Sequence, residues 1–232
     1  MKRYETIFFD LDGTLTDPAL GITNSVMVAL AQFGIRVDDR RELYRFIGPP
    51  LMDSFREFYG FSGEDCRRAV RAYRSHFAEQ GIFENEPYPG LFPMLDRLKA
   101  DGRRLVIATS KPEPFAVRIA EHFGFADRFD HIAGALMDET RTKKHEVIEY
   151  ALETCGADRG DVLMVGDREH DIRGAKVCGL DAMGVLYGYG SRAELEAAGA
   201  DYLAETVPEV AALILRDGLF PEKPLDDTSL KR

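Results

Sequence analysis

Thr6-Ile7-Phe8-Phe9-Asp10-Leu11-Asp12-Gly13-Thr14, close to the start of the chain, decides how the rest is read. An apolar run carries Asp10 to its tip, and Asp12 follows after one intervening residue. A carboxylate in that position can attack as a nucleophile, and its neighbour can give and take protons. Gly13 lets the backbone turn and approach a ligand closely. An isolated Asp-x-Asp at a strand end is more often a turn, so its meaning depends on what the other strands carry at their ends. The pattern points to covalent chemistry on phosphate.

Downstream of this strand the chain turns helical. Asp17 as N-cap with Pro18 at the first helical position opens a stretch with Ile22, Val26, Ala29, Leu30 and Phe33 at helical spacing, ended by Gly34. A second piece over 41–46 stops at Gly48-Pro49-Pro50, and a third runs from Leu51 to Tyr59. Ser62 with Asp65 forms a capping-box pattern before Val70, Tyr73 and Phe77, and Gly81 closes that helix. These pieces make a small bundle inserted after the first strand. Arg67, Arg71 and Arg74 share one face of the last helix, with Arg68 nearby; a solvated face is the default, and steering of an anionic substrate the alternative.

From Pro89 the rhythm changes to alternating helix and strand. Strands are expected at 105–108, 129–132, 161–165, 181–186 and 201–203, with helices at 91–99, 115–123, 144–155 and 192–198 between them. Strands written as continuous apolar runs imply a parallel sheet buried on both faces. Such sheets bind ligands beyond the carboxyl ends of their strands. Polar groups recur at those ends: Asp10 and Asp12, then Thr109, Ser110 and Lys111, then Gly166, Asp167 and Asp171. Lys111 either faces the mouth of this edge or is solvated.

Asp10, Asp12, Asp167 and Asp171 would gather negative charge where an anionic phosphate also arrives, an arrangement that requires a cation. Oxygen donors and a phosphate partner favour Mg²⁺. A basic residue from the helix starting near Lys143-Lys144 completes the balance. Asp10 can then attack phosphorus in line and form an aspartyl-phosphate, while Asp12 protonates the leaving oxygen and later activates water.

Taken in order, Asp10-Leu-Asp12-Gly-Thr-Leu, Thr109 after its strand, a later lysine and Gly166-Asp167-Arg-Glu-His-Asp171 resemble the four signature motifs of the haloacid dehalogenase superfamily and span the whole chain. The resemblance implies a Rossmann-like parallel α/β core flanked by helices, over 1–15 and 87–218, with a small α-helical cap domain over 16–86 and a tail over 219–232. It implies that Asp10 is nucleophile and metal ligand, and Asp12 acid/base with its backbone carbonyl on Mg²⁺. Thr109, with Ser110, binds the phosphoryl group; Asp167 ligates the metal and Asp171 supports its shell. Of the adjacent lysines, the family spacing selects Lys144 to offset phosphate charge and leaves Lys143 facing solvent.

Residues then discriminate among reactions of the superfamily. Haloacid dehalogenases lack the second aspartate, present here as Asp12; phosphonatases use a cap lysine, and 15–88 contain none. Phe46-Ile47-Gly48-Pro49-Pro50-Leu51 and Tyr187-Gly188-Tyr189-Gly190-Ser191 are similar to the phosphoglycolate phosphatase group, notably its 5′-nucleotidase-like branch. Hydrolysis of a small phosphate monoester is expected, with the leaving group read by the cap through Arg45 and Gly48; a surface position is the alternative for Arg45. β-Phosphoglucomutase-type transfer on a sugar phosphate is the alternative. A phosphoacceptor signalling domain fits less well, because of the helical insert and Asp12.

Composition narrows the partners. A formal charge of −10 on 232 residues argues against nucleic acid and anionic membranes. No apolar run approaches the ~18 residues a membrane span needs, and no signal-peptide pattern opens the chain, so a cytoplasmic monomer or homodimer acting on a small phosphorylated metabolite is expected. The three cysteines are widely spaced and suggest no disulfide framework. Neither histidine spacing for zinc nor a P-loop is found. Gly188-Tyr-Gly190-Ser-Arg-Ala193 imitates a dinucleotide fingerprint, but it lies near the end of the alternation and is read as a turn.

Overall fold

The computed structural model describes residues 3–138 and 140–215. The expected tail over 219–232 lies outside the described residues. Strands are β1 (Thr6–Phe9), β2 (Thr16–Asp17), β3 (Glu86–Pro87), β4 (Arg104–Pro112), β5 (His131–Ala135), β6 (Val162–Gly166), β7 (Asp181–Val185) and β8 (Tyr202–Ala204). Helices are α1 (Ala19–Ala31), α2 (Leu51–Tyr59), α3 (Gly63–His76), α4 (Leu91–Ala100), α5 (Glu113–His122), α6 (Lys144–Cys155), α7 (Glu169–Val177), α8 (Arg192–Ala198) and α9 (Val207–Leu215). Among the described residues no helix is long and apolar enough to cross a membrane.

Six strands form one parallel sheet in the order β5-β4-β1-β6-β7-β8. Alternation along the strands divides the core between two faces. Ile7, Phe9, Leu105, Ile107, Leu163 and Val165 pack with residues of α4, α5 and α9. Phe8, Val106, Ala108 and Met164 pack with Val147, Ile148 and Ala151 of α6 and Ile172 and Ala175 of α7. Both faces are covered, which is why these strands read as unbroken apolar runs. The connections reverse direction between β1 and β6, which opens a crevice beyond the strand ends at that point.

Register aligns the strand tips. Phe9 pairs with Ile107 on one side and Val165 on the other, and the Asp10 N–H donates to the Val165 carbonyl at 2.9 Å. Asp10 and the Gly166-Asp167 turn therefore leave the sheet at nearly the same level. β4 continues past Thr109, with a register shift between Thr109 and Pro112 against β5. Such an irregularity re-aims the side chains that follow it.

Between β2 and β3 lies the helical insert of α1, a 3₁₀ helix (Arg40–Phe46), α2, α3 and a π turn (Phe77–Gly81). β2 and β3 pair antiparallel, Thr16 with Pro87 and Asp17 with Glu86, so the chain enters and leaves the insert side by side. Phe46 packs its ring 5.1 Å from Phe55 and 5.3 Å from Phe58, and Phe33 lies 4.3 Å from Phe61, giving the insert its own aromatic core. The Ser62 hydroxyl accepts from the Asp65 N–H and caps α3 as its pattern predicts. Several features depart from the sequence reading: Asp17 lies in β2, and Pro18 rather than Asp17 holds the cap position of α1. α7 and α9 are present where no helix is expected, and β5 begins at His131 rather than at Phe129, whose ring packs edge-on to Phe9.

Candidate active site

Asp10, Asp12, Thr109, Lys144, Asp167 and Asp171 come from four separate stretches of sequence, and all are buried at the carboxyl edge of the sheet. β1 ends at Phe9 and presents Asp10. Lys144 begins α6, whose start is fixed where the Lys143 N–H donates to the Glu146 carboxylate at 3.0 Å. The Lys144 ammonium lies 2.7 Å from Asp10 Oδ1, 2.7 Å from Asp171 Oδ1 and donates to the Ala108 carbonyl at 3.1 Å. Lys143 is exposed, so the structure places Lys144, of the two, in the cluster.

Asp171 reaches back from the first turn of α7 to accept the Arg168 N–H at 3.0 Å, closing that helix end while its other oxygen meets Lys144. Asp167 accepts from the Tyr189 N–H at 2.8 Å and the Thr14 hydroxyl at 3.3 Å. Close backbone approach makes this possible. Gly13 has φ +81°, and a Cβ there would stand 2.2 Å from Asp167 Oδ2; a Cβ on Gly188 would stand 2.4 Å from Asp167 Cβ.

Oxygens of Asp10, Asp167 and Asp171 lie within 4.8 Å of one another. Burial, the Asp171 carboxylate and then Asp10 push the Asp167 carboxyl well above its ordinary value. Burial also raises Asp171, against the opposing pull of Lys144. For Lys144, burial works against the ammonium, but Asp10 and Asp171 outweigh it and hold the pKa above the usual lysine value. Burial and mutual repulsion drive Asp167 and Asp171 toward neutrality, and a second cation beside Lys144 relieves that directly. An all-carboxylate set fits a hard, oxygen-seeking divalent ion.

Asp12 faces away from this cluster to a cation of its own. Its Oδ2 lies 2.8 Å from the Lys111 ammonium, and both side chains are buried. Burial raises the Asp12 carboxyl, with Lys111 opposing, and its buried Oδ1 accepts no hydrogen bond. Thr109 Oγ1 accepts the Lys111 N–H at 3.2 Å, and the Lys111 ammonium sits 4.4 Å from the Phe77 ring centroid. The irregularity in β4 thus decides the open question about Lys111: it is buried against Asp12.

A cavity of about 310 Å³ adjoins this edge. Asp12, Ser110 and Lys111 line one end, and Gly48, Tyr73 and Phe77 of the insert line another. Arg45 is not brought to it. The guanidinium is exposed and stacks 4.3 Å over the Phe58 ring, while neighbouring Phe46 turns into the aromatic core. Arg168, which sequence reading passes over, instead ties the insert to the core, donating to the Ile47 carbonyl at 2.7 Å and to Glu194 at 2.9 Å. The Gly188–Gly190 loop, expected only as a turn, forms a wall against Asp167. Its one available signal was its place just past an apolar strand.

The chain is similar to proteins that carry nucleotidase, phosphatase and kinase names. A 5′-nucleotidase from Pseudomonas aeruginosa is 47% identical over 195 residues, 84% of this chain and 88% of that protein. A predicted phosphatase from Clostridium acetobutylicum, solved by crystallography, superposes with a TM-score of 0.91 at 45% identity, covering 93% of this chain and all of that one, 100%. A tyrosine-protein kinase, PtkA of Mycobacterium tuberculosis, is 40% identical over 217 residues, 93% of this chain and 72% of that protein. Residues 7–185 match the family described as haloacid dehalogenase-like hydrolase. With its strand-tip aspartates, buried lysine and parallel sheet, the chain belongs to the haloacid dehalogenase-like hydrolases.

Proposed function

We propose that the protein is a Mg²⁺-dependent phosphatase that hydrolyses a small phosphate monoester through an aspartyl-phosphate. The observation that carries this reading is the Lys144 ammonium held 2.7 Å from both Asp10 and Asp171 in a buried site. An ammonium so placed orients the Asp10 carboxylate and gives an incoming phosphoryl group a counter-charge.

Asp10, the Asp12 carbonyl and Asp167 would hold Mg²⁺, with Asp171 supporting them through Lys144. When bound, the ion supplies positive charge that reduces repulsion between phosphate and carboxylates. Asp10 attacks phosphorus; the ester oxygen departs with a proton from Asp12, whose raised pKa suits a donor. Asp12, now ionised, takes a proton from water attacking the aspartyl-phosphate, which frees Asp10 and inorganic phosphate. Thr109 and Ser110 hold phosphoryl oxygens at the end of β4. The helices over 19–81 act as a cap that excludes water and reads the leaving group, with Gly48 at the cavity wall.

Within this reading the partner is a small phosphorylated metabolite, and the protein works in the cytoplasm as a monomer or homodimer. The 5′-nucleotidase-named relative makes nucleoside monophosphates natural first substrates, alongside phosphoglycolate. The kinase-named relative makes the fate of the phosphoryl group worth measuring. Purified protein is expected to release inorganic phosphate catalytically from a chromogenic monoester with Mg²⁺, and Asp10→Asn to lose turnover by at least about 10⁴-fold while keeping its fold. Phosphate retained on the protein at one equivalent without release, or near-normal turnover by Asp10→Asn, refutes the reading.

A further inference from the structure

Arg168 stands where the Asp167–Asp171 turn, α8 and the helical insert meet. Its backbone N–H donates to Asp171 Oδ2 at 3.0 Å, and the other oxygen of Asp171 meets the Lys144 ammonium at 2.7 Å. Its side chain serves different partners. Nε donates to Glu194 Oε1 at 2.9 Å, and Nη1 donates to the Ile47 carbonyl of the insert at 2.7 Å. The same Glu194 oxygen accepts the Glu169 N–H at 2.9 Å, and the Ser191 hydroxyl accepts the Glu194 N–H at 3.1 Å. The starts of α7 and α8 therefore fix the guanidinium from the core side.

On the insert side the backbone is shaped to receive it. Gly48 has φ +103°, and a Cβ there would stand 3.1 Å from Arg168 Cγ, so the turn lies directly on the arginine stem. Phe46, Gly48, Pro49, Pro50 and Leu51 line the cavity that Asp12 also lines. Pro49 and Pro50 have a fixed φ and no N–H to donate, so this strip is stiff, and the hydrogen bond at Ile47 anchors it as a unit. Moving the strip away would break a charge-assisted hydrogen bond and strand a donor of a guanidinium whose side chain is only 16% exposed.

We propose that Arg168 is a positioning residue that holds the Ile47–Gly48 wall of the cavity over the turn carrying Asp167 and Asp171, and so keeps a leaving group that fills the cavity in register with Asp10 and Asp12. It acts through Ile47 and does not touch the reacting atoms. A leaving group too small to reach the wall gains nothing from it. The inference rests on the phosphatase reading above.

Hydrogen exchange read by mass spectrometry tests the hold without turnover. Arg168→Met is expected to speed exchange over residues 44–53 by about tenfold while β1 and β6 keep their protection, and Arg168→Lys, which can still donate to one carbonyl, to recover part of the loss. Unchanged exchange over 44–53, or equal loss of protection in β1 and β6, would overturn the proposal. Kinetics with Mg²⁺ then compare methyl phosphate with n-butyl phosphate, whose leaving alcohols are similar in acidity and differ in reach. The wild type is expected to favour the butyl ester in kcat/KM by about tenfold, because its added methylenes enter a partly apolar cavity. Arg168→Met is expected to cut that preference by about fivefold and to leave methyl phosphate within about twofold of wild type. Gly48→Ala, whose methyl would meet the arginine stem, is expected to do the same, and Arg173→Met, on the exposed side of α7, to change neither ester. Equal losses on both esters would mean that Arg168 only shapes the Asp167–Asp171 turn, and would overturn the proposal, as would a wild type indifferent to the butyl chain. A wild type that turns over neither ester nor a chromogenic monoester refutes the phosphatase reading, and the exchange experiment tells that failure apart from failure of the hold itself.

Discussion

Asp10 and Asp12 are two residues apart, yet each has its own buried ammonium, Lys144 for one and Lys111 for the other. In an extended backbone side chains two apart share a face; the turn at Gly13 comes at once and separates them. Under the proposed mechanism, the pairing gives nucleophile and acid/base separate counter-ions. Lys111→Met removes the cation that orients Asp12, and kcat is expected to fall by about 10- to 100-fold, read in steady-state phosphate release. An unchanged kcat would show that Asp12 is positioned without it. Gly13→Ala is a harsher test, because the residue has φ +81° and the new methyl would meet Asp167. Left-handed strain and that clash together are expected to cost about 2 kcal/mol or more, measured by urea unfolding.

Strand β4 shows how an element is positioned by groups outside it. Asp130 accepts the Leu105 N–H at 2.8 Å and meets the Lys99 ammonium at 2.9 Å, tying the start of β4 to α4. Burial raises its carboxyl, but the Leu105 N–H and Lys99 together outweigh this and hold it below the ordinary value. A carboxyl depressed in the folded state stabilises fully above its unfolded value, and the contribution is lost as pH falls through the folded one. Asp130→Asn is therefore expected to cost about 1 kcal/mol at neutral pH. The difference from wild type should be full above the ordinary carboxylate value of 3.8 and vanish as pH falls well below it. A pH-independent difference in unfolding midpoints would assign the loss to packing.

At the scale of the molecule, insert and core meet through many small contacts around one cavity. Arg168 reaches Ile47, Arg118 reaches the Ala78 carbonyl, Tyr189 bonds Asp17, and the Phe77 and Phe115 rings pack 5.5 Å apart. The metal reading has a readout at this scale that does not involve catalysis. Mg²⁺ at 100 times its dissociation constant should stabilise the fold by about 2.7 kcal/mol, seen as a rise in Tm that a chelator reverses. Asp167→Asn is expected to abolish the rise. A chelator-insensitive Tm in the wild type would count against a divalent ion at Asp10, Asp167 and Asp171.

The sequence by itself determined the parallel sheet, the inserted helices and the candidate residues Asp10, Asp12, Thr109, Lys144, Asp167 and Asp171. Strands buried on both faces must be written as apolar runs, and ligands bind past their carboxyl ends, so both signals are local. α7 escaped because few apolar residues mark it, with Gly174 in its interior; that glycine is needed where a Cβ would stand 2.8 Å from Lys144 Cγ. α9 escaped because a short, almost wholly apolar run has no clear period. Only the tertiary structure decided that Lys111 is buried against Asp12, that Arg74 rather than Arg45 lines the cavity, and that the Gly188–Gly190 loop closes on Asp167. Each depends on which groups arrive from distant parts of the chain, and a side chain's charge and type are the same in the sequence whether it meets solvent or a buried carboxylate.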